Sequence, residues 1–147
     1  MSQSSPIERV LCPVDFSESS DAALTFASVL AKQFGAELHA VHTWELSAYA
    51  SPTSELAKDT ERALKKDLDA AIARAVTNGI VVHAHLRLGP PAETIVAAAK
   101  HFDVDHVVMG TAGKAGLERL LVGSVAEQVI RSCPVPVTTV RALPTKG

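Results

Sequence analysis

Residues 106–125 read HVVMGTAGKAGLERLLVGSV: a short apolar run, a glycine-bearing loop, then a glycine and a serine that open a new helical pattern. His106–Met109 is too short and too uniformly apolar for a half-exposed strand, so it reads as a central strand buried on both faces. Gly110 to Val122 is the loop, and Gly123 to Ser132 reads as a helix. A strand that feeds such a loop and then a helix is half of a βαβ unit. The rest of the chain repeats that alternation.

Upstream, Ile7 to Val14 (IERVLCPV) predicts a buried strand ending at Asp15. The segment Asp15–Asp21 is rich in N-cap residues, and a helical pattern runs from it to Phe34 with Gly35 as its stop. Ala23, Phe26, Ala27, Leu30, Ala31 and Phe34 fall at spacings of three and four and are the expected buried face. Glu37 to Trp44 is a second strand, and Ser54 caps a long helix reaching about Val76, with Asn78-Gly79 closing it. Ile80 to Leu88 alternates strictly, with Val81, His83, His85 and Arg87 on one face, so it predicts a strand with one wet face at a sheet edge. Pro91 opens a helix to Phe102, and Val135 to Arg141 is the last strand. Five strands alternating with four helices predict an α/β fold, a doubly wound five-stranded parallel sheet with helices on both faces.

At 147 residues the chain suits one domain, expected over 6–142, with loose termini at 1–5 and 143–147. A net charge of −2 provides no basic footprint for nucleic acid or anionic lipid. The polar N-terminus lacks a signal-peptide core, and no run of about 18 apolar residues suggests membrane insertion, so a cytoplasmic location is expected. Cys12 and Cys133 are far apart in apolar surroundings and read as two buried thiols.

In such a sheet, ligands bind beyond the carboxyl ends of the strands where successive connections diverge. Asp15 ends the first strand and Gly110 the fourth, so both segments converge on one crevice. Gly110, Gly113 and Gly123 let backbone N–H groups approach a ligand, and Ser124 adds a hydroxyl at a helix start whose dipole favours phosphate. Lys114 and Arg119 supply cations nearby. The pattern is not a P-loop, because Gly113-Lys114 is followed by Ala115. Nor is it a dinucleotide fingerprint, since Gly110, Gly113 and Gly116 have the wrong spacing.

The Gly-x2-Gly-x9-Gly-Ser pattern at Gly110, Gly113, Gly123 and Ser124 resembles the ATP-binding signature of the universal stress protein family. Pro13-Val14-Asp15 and the Cys133-Pro134-Val135-Pro136-Val137 entry to the last strand are similar to family landmarks. The resemblance runs from about Ile7 to Arg141 and implies sheet order 3-2-1-4-5 in an adenine nucleotide alpha-hydrolase-like fold. It implies ATP, with Mg²⁺ as a companion ion. Pro13, Val14 and Asp15 would line the adenosine side, with the Asp15 carboxylate near ribose or Mg²⁺. Val41 would offer backbone groups to adenine, Gly110 would sit against ribose, and Gly113, Gly123, Ser124 and Val125 would cradle phosphates. It further implies a homodimer through Val135–Val140.

The function expected is a nucleotide-dependent stress-response sensor or regulator; the alternatives are a slow ATPase or phosphoryl-transfer enzyme in the same pocket, and an interaction protein that nucleotide stiffens. No residue is assigned as catalytic, and hydrolysis slower than about 0.01 per second is expected without a positioned base. No metal ligand is assigned either: His83 and His85 share one strand face, His39 lies on what should be the neighbouring strand, and without acidic or cysteine company they read as solvated strand residues. Trp44 and Tyr49 read as packing residues.

Overall fold

The computed structural model describes residues 7–47, 49–111 and 122–142. Its elements are β1 (Arg9–Pro13), α1 (Glu18–Phe34), β2 (Glu37–Trp44), α2 (Glu55–Ala75), β3 (Val82–Leu88), α3 (Pro91–His101), β4 (His106–Gly110), α4 (Ser124–Ser132) and β5 (Val137–Val140). The strands form one parallel sheet in the order β3-β2-β1-β4-β5, which is the expected order with the alternating strand at an edge.

Three strands are shorter than the sequence suggests. Asp105 Oδ2 accepts from the N–H groups of Glu8 (2.6 Å) and Arg9 (2.9 Å), so Ile7 stays outside the β1 ladder. Asn78 Oδ1 accepts from Ile80 N–H at 3.2 Å, and β3 starts only at Val82. Pro136 has no N–H to offer and only accepts, from Val107 N–H at 3.0 Å, so β5 begins at Val137.

The core has two halves, one on each face of the sheet. Val10, Cys12, Leu38, Ala40 and Val108 pack with α1 and α2, through Ala23, Leu24, Ala27, Leu68 and Ala71. Leu11, Val41, Val107 and Met109 face α3 and α4, through Ile95, Ala98, Ala126 and Val129. Helices on both faces are what a right-handed parallel topology requires.

In α1, the Ser17 side chain caps the helix by accepting from Ser20 N–H, and Gly35 ends it with φ of 65°. The buried stripe is Ser20, Ala23, Leu24, Ala27, Ser28 and Ala31. Phe26 and Phe34 therefore depart from the expected face: Phe26 is 44% exposed, and Val29 beside it is more so. Small residues win because the helix lies close on the sheet, and the Ser28 hydroxyl is satisfied locally by donating to Thr25 O at 2.7 Å. Arg74 makes a bidentate contact with Asp21, and Thr25 Oγ1 donates to Ala75 O, tying α2 alongside.

Other expectations need correction. Tyr49 is fully exposed rather than packed, and Cys133 is only partly buried. The histidine face of β3 is not simply solvated. His39 is buried, its Nδ1 lies 3.0 Å from His85 Nε2, and Phe102 stacks on His85 with centroids 4.2 Å apart while Arg87 sits over the same ring. α3 thus ends by placing an aromatic lid over the edge strand, a contact that strand periodicity cannot reveal.

Burial, then the neighbouring His39, Arg87, His83 and Lys65, lower the His85 pKa from 6.5 to about 4. As pH falls, the unfolded chain takes up this proton near 6.5 while the folded one resists until about 4, so stability drops across that window and is full above it. Urea unfolding at about pH 7 and about pH 5 should show a loss for the parent and a smaller loss for His85→Gln.

Candidate functional site

At the carboxyl ends of β1, β2 and β4 lies a cavity of about 320 Å³. Its wall on the β1 side is set by local hydrogen bonds. Val14 N–H donates to Val41 O at 2.8 Å, which continues the ladder one residue past β1. The chain then turns: Asp15 Oδ1 accepts from Ser17 N–H at 3.0 Å and from the Ser17 hydroxyl, while Ser20 Oγ accepts from Asp15 N–H at 3.2 Å. This Asx turn leads into the first turn of α1. Asp15 itself is exposed, and its Oδ2 has no hydrogen bond among the described residues.

Phe16 takes a left-handed conformation, φ 66°, that costs energy for a residue with a Cβ. The turn places its ring 4.5 Å from that of His42 at a 40° tilt. His42 Nδ1 lies 2.7 Å from Val14 O, and because a carbonyl only accepts, Nδ1 carries the proton.

On the β4 side, Gly110 is needed for packing. A Cβ there would come 2.4 Å from Ser19 Oγ and 2.8 Å from the Ser19 and Ser20 backbone. Its φ is not in the left-handed region, so the glycine is present for close approach rather than for turning. What comes close to it is the start of α1. Thr111 N–H continues the sheet by donating to Val140 O, and Gly123 N–H returns to Thr111 O. Thr111 and Gly123 are therefore joined directly.

Gly123 is the N-cap of α4 with φ −71° and has no side chain to satisfy the helix start. The first intrahelical bond, Glu127 N–H to Gly123 O, leaves the N–H groups of Ser124, Val125 and Ala126 without helical partners. They form a set of positively polarised donors at the cavity wall, strengthened by the helix dipole.

Eight sequence-assigned positions line this one cavity: Pro13, Val14, Asp15, Val41, Gly110, Gly123, Ser124 and Val125. Gly113, with Lys114 and Arg119, lies outside the described residues. Of the Val41 backbone groups expected to face adenine, the carbonyl already accepts from Val14 N–H. Sequence reasoning missed Ser20, His42, Thr43, Pro91, Ile95, Met109, Thr111 and Ala126. His42, Met109, Thr111 and Ala126 adjoin assigned residues and carry a proximity signal; Pro91 and Ile95 come from α3 and carry none.

Other chemically suggestive groups stand elsewhere. Cys12 is fully buried, and burial followed by the Asp15 charge raises its thiol pKa strongly, so it stays protonated. His106 begins β4, at the strand end opposite the cavity, where burial lowers its pKa and its Nε2 pairs with Thr138 Oγ1. Among the described residues no group of three or more His, Cys, Asp or Glu is placed to hold a metal ion, and no helix is long and apolar enough to cross a membrane.

A sequence profile described as the universal stress protein family matches residues 6–141. A universal stress protein of Methanocaldococcus jannaschii is 35% identical over 143 residues, covering 91% of this chain and 82% of that protein. Among solved structures, the universal stress protein UspA from Lactobacillus plantarum superposes with a TM-score of 0.72 at 29% identity, covering 92% of this chain and 98% of its own. A universal stress protein crystallised in complex with cAMP has a TM-score of 0.77 at 24% identity, covering 95% of this chain and all of that one (100%), and testifies to the fold.

The packing role of Gly110 is directly measurable. Gly110→Ala should lower the unfolding free energy of the ligand-free protein by about 1–3 kcal/mol, as overpacking does, in urea denaturation. Unchanged stability would leave the glycine with a role toward ligand alone.

Proposed function

Since the chain belongs to the universal stress protein family, we propose that it is an ATP-binding regulator of the stress response, one domain over 6–142, and that the cavity at the carboxyl edge of the sheet is its nucleotide site. The observation that carries this reading is the uncapped start of α4 facing the same cavity as Asp15. Three free N–H donors and a dipole are matched to phosphate, and a glycine N-cap leaves room for it.

The remaining contacts fit an adenine nucleotide. Ser124 and Val125, with Ala126, would hold phosphates through backbone donors and the Ser124 hydroxyl, while Gly123, whose own N–H is committed to Thr111 O, would lie against them without a side chain; Gly113 would join them, as the family pattern implies. Pro13, Val14 and Val41 form the apolar wall beneath the adenosine, and Gly110 borders the ribose. Asp15 offers one carboxylate oxygen to ribose hydroxyls or to Mg²⁺ on the phosphates; a Mg²⁺ that keeps most of its waters needs no more than that. A volume near 320 Å³ is at the lower end of the range for small-molecule sites. Binding to the folded chain alone stabilises it in proportion to ligand concentration, which is the thermodynamic basis of a sensor.

Gly123→Val puts a branched side chain where the α4 donors meet phosphate. Losing two or three bonds to a charged group, at about 1.5–3 kcal/mol each, should weaken ATP more than about a hundredfold in calorimetry. Ser124→Ala should cost about tenfold, because the dipole and backbone donors remain. A folded Gly123→Val protein that binds ATP like the parent would reduce the loop to a structural turn.

We also propose that β5 pairs two chains. Val137–Val140 is a partly buried edge strand, and its open edge is a template for another strand. Sedimentation at tens of micromolar should return about twice the 15.5 kDa chain mass; a monomer would refute the pairing.

A further inference from the structure

Resting on the adenine-nucleotide reading above, we propose that His42 selects the base, accepting a hydrogen bond from the 6-amino group of adenine through Nε2 and rejecting 6-oxo purines.

The placement comes first. The phosphate donors stand at the start of α4, beyond β4, whereas His42 and Thr43 end the cavity on the β2 side. Two strand spacings, about 10 Å, separate β2 from β4 in the sheet order β2-β1-β4. A nucleotide laid across the cavity with its phosphates at α4 therefore brings its base toward β2. His42 is the imidazole of the described lining.

The chemistry follows from one hydrogen bond. Nδ1 donates to Val14 O at 2.7 Å, which leaves Nε2 of the uncharged ring as an acceptor with no proton. Nε2 makes no hydrogen bond among the described residues, and no buried side-chain nitrogen or oxygen there lacks a partner, so this atom is open to solvent. Phe16 packs against the ring at a 40° tilt and Val14 O holds its edge, so the acceptor is fixed before a ligand arrives. Adenine presents an amino donor at position 6; hypoxanthine and guanine present a carbonyl oxygen there. The first completes the bond, and the second sets two acceptors against each other. Sites that hydrogen-bond a substrate group discriminate strongly against its absence.

The experiment compares ATP with inosine triphosphate, which carries oxygen in place of the 6-amino group and, with it, a proton on N1, in calorimetry on the parent, His42→Phe and His42→Gln, with circular dichroism to confirm folding. The parent should prefer ATP by about tenfold or more. His42→Phe keeps an aromatic ring beside Phe16 but removes the acceptor; ATP should weaken about tenfold, inosine triphosphate little, and the preference should vanish. His42→Gln, whose amide can accept or donate, should bind both alike, and decides the matter if the Phe variant does not fold. Equal affinities in the parent, or a parental preference kept by the folded variants, would overturn the role of His42. So would a proportional loss of both nucleotides, which marks a merely structural side chain. These results leave the nucleotide site standing; a parent that binds neither nucleotide overturns the site and this inference together.

Discussion

The first turn of α1 lies against the backbone of Gly110 with no space for a Cβ between them. That contact brings a helix N-terminus from one crossover against the last residue of β4, the strand that belongs to the next half of the fold. It draws Ser19 and Ser20 to the sheet, and Ser20 in turn holds Asp15 N–H. The crevice between β1 and β4 therefore has walls whose spacing is set by van der Waals contact rather than by loop conformation. A side chain at position 110 would push α1 away and move the Asp15 turn with it.

Much of the proposed recognition surface is main chain. The N–H groups at the start of α4 lack a capping side chain, and the Val14 carbonyl is committed to His42. Backbone groups held by a sheet and a helix need little reorganisation when a charged ligand arrives, which makes each donor more effective than a mobile side chain. The left-handed Phe16 belongs to the same logic: local strain is tolerated where the Asx turn, the α1 cap and the ring contact with His42 all determine one conformation.

The architecture was legible because its signals are local and periodic. Alternation in Ile80–Leu88 marked the edge strand, the apolar run at His106–Met109 marked a central one, and the N-cap-rich segment Asp15–Asp21, Ser54 and Gly35 marked helix ends before any packing was known. Errors arose where tertiary contact overrode pattern. Phe26 and Phe34 match the spacing of a buried face as well as Leu24 and Ser28 do, and only the closeness of α1 to β4 selects the smaller set. His85 has the outward parity of a wet strand face, yet Phe102 from the far end of α3 covers it.

The chain's own residue order determined the alternation of strands and helices, the glycine and serine that open α4, and the arrival of Asp15 and Gly110 at strand ends, because turns, caps and hydrophobic periods act over a few residues. Only the tertiary structure decided that Gly110 is spared a Cβ for Ser19, that His42 loses one nitrogen to Val14 O and keeps the other open, and that Pro91 and Ile95 complete the cavity. Those contacts join residues from different elements. Their partners are chosen by how closely packed layers approach one another, a quantity that no local pattern contains.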